Sequence, residues 1–132
     1  MIEIDEGELV DFFGVVPTPQ PIEEKEFFGT MAFDIDRADF HLNFSVSTYH
    51  PGLSLYLEYR PTAHKLFSVD LPGLRDVRVE SLSSGISELL CRTVAAIGTL
   101  ATEQSELVTH EIMIRVDPVI SIRLRTEIDA SG

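Results

Sequence analysis

Between Phe27 and Tyr59, apolar and polar residues alternate almost without error through three consecutive runs. No other feature constrains the chain as tightly. Phe27, Met31, Phe33 and Ile35 share one parity, and Thr30, Ala32, Asp34 and Asp36 take the other. Phe40, Leu42, Phe44 and Val46 alternate with His41, Asn43, Ser45 and Ser47, and then Leu53, Leu55, Leu57 and Tyr59 with Ser54, Tyr56, Glu58 and Arg60. Successive side chains of an extended strand point to opposite faces, so a sustained period of two predicts strands with one face buried.

Short connections make the three runs a meander. Asp36 and Asp39 flank the first turn, and Pro51-Gly52 suits the two central positions of a type II turn. Closing both loops symmetrically pairs Ile35 with Phe40, Phe33 with Leu42 and Met31 with Phe44, then Val46 with Leu57 and Phe44 with Tyr59. On the polar face that register sets Asp34 opposite His41, and Ala32 and Arg60 on either side of Asn43. It also flanks Ser45 with Thr30 and Glu58, and puts Tyr56 opposite Ser47. This is a dense polar constellation, read either as a solvated sheet face or as a recognition surface.

A chain of 132 residues with 44% hydrophobic content fits a single domain, 1–132, with a core of its own. Its apolar runs fall far short of the roughly 20 residues that span a bilayer. Met1-Ile2-Glu3-Ile4-Asp5-Glu6 is acidic where a secretory signal is basic, so a cytoplasmic location is expected. Cys91 is the single cysteine, which excludes an internal disulfide, and the four histidines are scattered. No metal and no cofactor is expected from these residues.

Ten basic against 22 acidic residues give a net charge of −12. The charge is uneven: residues 1–39 hold eleven acidic side chains against Lys25 and Arg37. Such a field repels nucleic acid and anionic membranes and favours a basic protein partner.

The remaining segments complete an α+β reading. Residues 1–15 hold a short N-terminal helix, from about Gly7 to Phe13, which Gly14 ends. Residues 16–25 form a Pro-rich arm through Pro17, Pro19 and Pro21, a tether that leads to an acidic lip of Glu23, Glu24 and Glu26. Residues 26–82 comprise the meander and two further strands, around Phe67–Leu71 and Val77–Val79, which extend the same antiparallel sheet. Residues 83–103 carry Ile86, Leu89, Leu90, Val94, Ile97 and Leu100 at spacings of three and four, which predicts the main helix across the apolar face. β-Branched Thr93, Val94 and Thr99 and the glycine Gly98 keep a strand from Thr93 to Ala101 open. A hairpin over 110–128 turns about Pro118, with Glu111 opposite Arg125 and an outward row of Arg115, Arg123 and Arg125.

Functionally the chain carries no catalytic signature, no metal-ligand array and no phosphate loop. Its profile is that of an acidic protein-binding module: a stoichiometric inhibitor or immunity-type protein that neutralises a basic partner. In this reading Glu23, Glu24 and Glu26 steer, and Asp34, His41, Asn43, Glu58 and Arg60 make specific contacts. The alternatives are an acidic chaperone for a secreted effector, a subunit that self-associates as a homodimer, and a small hydrolase using Asp34, His41 and Ser45.

Overall fold

A computed structural model describes residues 2–22, 25, 28–98 and 105–131. Helix α1 (Glu6–Phe13) precedes eight strands: β1 (Thr30–Arg37), β2 (Phe40–Ser47), β3 (Gly52–Tyr59), β4 (His64–Pro72), β5 (Leu74–Ser81), β6 (Ser87–Gly98), β7 (Ser105–Arg115) and β8 (Ser121–Ser131). They form two antiparallel four-stranded meanders, β1-β2-β3-β4 and β5-β6-β7-β8, each in chain order.

The period-two rows make the core. Phe33 and Ile35, then Leu42, Phe44 and Val46, then Leu53 and Leu55, are all buried on one face of the first sheet. Leu74, Leu89, Cys91, Ile112, Ile114 and Val116 of the second sheet join them in one cluster. Helix α1 plugs this cluster with Leu9 and Phe13, whose ring lies 5.1 Å from Phe33 and 5.2 Å from Phe44. The helix forms locally: the Asp5 carboxylate accepts from the N–H of Glu8 at 3.2 Å, Glu6 and Glu8 sit at its positive end, and Gly14 closes it in the left-handed region. Arg37 Nη2 donates to the free carbonyl of Phe13.

Among the described residues the expected main helix over 83–103 does not form, which overturns the α+β class. Ser87–Gly98 of this segment is strand β6, paired with β5 on one side and β7 on the other. Leu89, Cys91 and Thr93 form its buried row, at the period of two that a strand requires. β-Branched side chains suit this pleated central position better than a helix interior. Among the described residues α1 is the one α-helix.

The anticipated single sheet is likewise two. The chain leaves β4 and enters the second sheet at Gly73, where φ is +76°. The Gly73 N–H donates to Pro51 O at 2.9 Å, and its carbonyl accepts from the Val94 N–H at 2.8 Å, so one residue ties both sheets together. A Cβ here would stand 2.1 Å from the Val94 carbonyl oxygen. Gly73→Ala therefore combines a disfavoured φ with a backbone clash, and a loss of about 1–3 kcal/mol or more in unfolding free energy is expected from urea titration.

Parity was read correctly in the first sheet and register was not. β1 and β2 pair as Ile35 with Leu42 and Phe33 with Phe44, two residues from the symmetric closure. The turn is tighter than four residues because Ala38 adopts φ +53°, so that Arg37 pairs with Phe40. β2 and β3 pair as Val46 with Leu53 and Phe44 with Leu55, a shift of four. Gly52 opens β3 opposite Ser47 rather than sitting in the turn. Pro51, which has no N–H to give a ladder, is left outside as an acceptor for Gly73 and Leu74. The C-terminal hairpin does close about Pro118, and Glu111 stands opposite Arg125.

Candidate functional site

Opposite parity to the core places Asp34, Asp36, His41, Asn43, Tyr56 and Glu58 on the outer face of the first sheet. Asp34 is the hub. Its Oδ1 accepts from Asn43 Nδ2 at 2.9 Å and lies 3.1 Å from His41 Nε2, and its Oδ2 accepts from Thr18 Oγ1 at 2.6 Å. The other ring nitrogen of His41, Nδ1, is 2.8 Å from Asp36 Oδ1, which in turn lies 3.7 Å from Arg60 Nε. A continuous polar chain thus runs from Arg60 through Asp36, His41 and Asp34 to Asn43 and Thr18.

The shifted register explains who meets whom. Asp34 stands directly opposite Asn43 and Asp36 opposite His41, so the Asp34–His41 contact is made along the diagonal. Glu58 faces His41 from β3. Arg60 lies in the short 3-10 turn at Arg60–Thr62 and reaches Asp36 instead of flanking Asn43. Glu23, Glu24 and Glu26 lie outside the described residues.

Three contributors escaped the sequence reading. Thr18 belongs to the Pro-rich arm, which is docked along the free edge of β1 by a Thr18 N–H to Ala32 O bond of 2.8 Å and is no simple tether. Asp36 shares the outward parity and flanks the first turn, and the symmetric closure gives it no partner on the polar face. Lys65 stands in β4 with its ammonium 4.6 Å above the Tyr56 ring, which is itself 6.0 Å from the His41 ring. Only the outward parity of Asp36 could have flagged one of them in advance.

Burial works to raise the Asp34 carboxyl, but the hydrogen bonds from Asn43 and Thr18 and the neighbouring His41 outweigh it, and the group ends below its ordinary value. Burial, with the charges of Asp34 and Glu58, pushes the Tyr56 phenol up. The second sheet holds its own anchored carboxylate. Glu88 is 5% exposed. Burial would raise it, yet Arg115 Nε at 2.9 Å and Arg123 Nη2 at 2.7 Å hold it below its ordinary value. The outward arginine row of the hairpin is therefore engaged within its own sheet, with Arg125 bonded to Glu127.

Groups with depressed folded-state values add stability that is fully present above the unfolded value and is lost as pH falls through the folded one. Acidification also reduces the magnitude of the net charge of −12 and so relieves general repulsion, which makes the readout a difference between proteins. Wild type should lose urea stability more steeply between about pH 5 and pH 3 than Asp34→Asn or Glu88→Gln does. Curves parallel to wild type would contradict these assignments.

Chemically the face can hold charge and offer hydrogen bonds. Both His41 ring nitrogens face carboxylates, which leaves neither to take a proton from Ser45, whose β3 neighbour is Ser54. Burial pushes the Cys91 thiol well up, so it is no nucleophile. Among the described residues no group of three or more His, Cys, Asp or Glu side chains is arranged to hold a metal ion, and no helix is long and apolar enough to cross a membrane.

No protein-family model matches the chain, and no curated protein matches it. Among solved structures, it is similar to a chain from one described as a contact-dependent growth inhibition toxin–immunity protein complex from Klebsiella pneumoniae 342. The TM-score is 0.70 at 15% identity, covering 94% of this chain and 95% of that one. At that identity the likeness establishes a shared fold.

Proposed function

We propose that this protein is an immunity-type stoichiometric inhibitor that neutralises a basic partner protein in the cytoplasm. The observation that carries the reading is the outer face of the first sheet, where Asp34 accepts from Thr18 and Asn43 and contacts His41, which in turn meets Asp36 and, through it, Arg60. A carboxylate fixed in advance costs little further ordering when a cationic group of a partner reaches it. The net charge of −12 supports the reading by steering a basic protein toward the face. The fold shared with a chain of a toxin–immunity complex supports it further. Asp34, His41, Asn43, Glu58 and Arg60 make the specific contacts, and Glu23, Glu24 and Glu26 add their charge to the long-range attraction.

The test is capture from a lysate of the native host at low salt, release with salt, and production of the released protein alone in growing cells. A basic protein that arrests growth, and no longer does so when this chain is co-produced, is the expected result. A partner whose effect on growth is unchanged by this chain would contradict the proposal.

A further inference from the structure

Among the described residues four strands are sheet edges, and three of them carry a device against pairing. The edge of β1 is occupied by the arm at Thr18. That of β4 ends in Pro72 and shifts register at Leu57/Glu58. β5 is short and shifts register between Leu74 and Asp76, and the Glu8 carboxylate accepts its Val79 N–H at 2.9 Å. β8 has none of these: its 11 residues pair with β7 without a register shift and contain no proline. It also leaves apolar side chains in water, Leu124 at 45% and Ile128 at 62% exposed. Its charged side chains are basic before Thr126 and acidic after it, so they bar a partner only where like charges meet, and such an edge is a template for a strand of complementary charge order.

The order of residues on β8 says which strand. Read outward from Thr126, Arg125 and Glu127 carry opposite charges, and Leu124 and Ile128 are both apolar. We infer that β8 pairs antiparallel with β8 of a second copy about a two-fold axis at Thr126, joining two second sheets into one of eight strands. In such an isologous contact each pair occurs twice. Arg125 of each copy meets Glu127 of the other on the outer face, and Leu124 of each meets Ile128 of the other on the inner face. Competing registers lose on charge. An axis at Arg125 sets that residue against itself, and one at Leu124 sets Arg123 against Arg125, and like charges directly opposite destabilise a strand pair. The inference uses the sheet opposite the Asp34 face and does not depend on the inhibitor reading.

The test is sedimentation of the full chain from low to high micromolar concentration, alongside Arg125→Glu and Glu127→Arg. Both positions are more than half exposed, so folding should survive either change, with circular dichroism as the check. Wild type should dimerise. Each single variant, which opposes like charges at two places, should weaken the dimer about tenfold or more. Mixing the two variants should restore association as a heterodimer, because every cross-strand pair then joins opposite charges. A wild type that stays monomeric throughout, a dimer indifferent to both substitutions, or a mixture that fails to re-associate would each overturn the inference.

Discussion

Alanine in place of Phe44 should lower the unfolding free energy by about 3–5 kcal/mol, a large part of the roughly 5–15 kcal/mol that holds a domain together. Phe44 is fully buried at the centre of β2 and touches the ring of Phe13 as well as its own sheet. Removing its ring takes away transferred apolar surface and leaves a cavity between the helix and the strands. Its loss also removes part of the seat of α1, so near-ultraviolet signals and helix protection in hydrogen exchange should fall together. An exposed apolar residue such as Val119 gives the contrast: it is 66% exposed, and its alanine variant should change stability by less than about 0.5 kcal/mol. Equal effects from the two would mean that the core is misassigned.

The second large effect concerns binding. Asp34→Ala removes the acceptor shared by Thr18, Asn43 and His41, and in a complex it strands any cation brought against it. Truncating one partner of a buried charge pair at an interface costs about 2–5 kcal/mol, or roughly thirty- to several-thousand-fold in Kd, chiefly through faster dissociation. Folding should suffer less, by about 1–2 kcal/mol, because Asp34 is partly exposed and its donors can turn to water. Glu80→Gln on the second sheet provides the control. That carboxylate already pairs with Arg78 at 3.0 Å on an exposed surface, and its loss should leave the complex nearly unchanged. Calorimetric or surface-based affinities for wild type and the two variants, at matched salt, separate these outcomes.

What could be read in advance follows from which physical signals a single chain carries. The parity of β1, β2 and β3 was legible because burial of one face imposes a period of two on every residue. Register was not, because slips of two or four residues preserve that parity and the choice falls to turn geometry: a positive φ at Ala38, and a proline at position 51 that cannot join the ladder. The hairpin of β7 and β8 was legible because its loop is centred on Pro118 and both strands are long. β6 was misread because Leu89, Leu90 and Val94 also satisfy helical spacing. The decisive pairing with β5 and β7 is made by residues distant in the chain.

The candidate site shows the same division. Asp34, His41 and Asn43 were expected on one face and do meet, since a face needs only parity. Thr18 could not be foreseen, because the route of a proline-rich arm is set by the free edge it finds. The break into two sheets turns on Gly73, whose place between Pro51 and Val94 leaves no local trace beyond the glycine itself.

The central claim is that binding through the Asp34 face silences a basic partner. Its most direct test is a titration of the captured partner's toxic activity with this protein. Activity should fall in proportion to added protein and vanish at equimolar addition, with Asp34→Ala requiring a large excess. Full activity in a complex shown to be saturated, or inhibition undiminished by Asp34→Ala, would contradict the account.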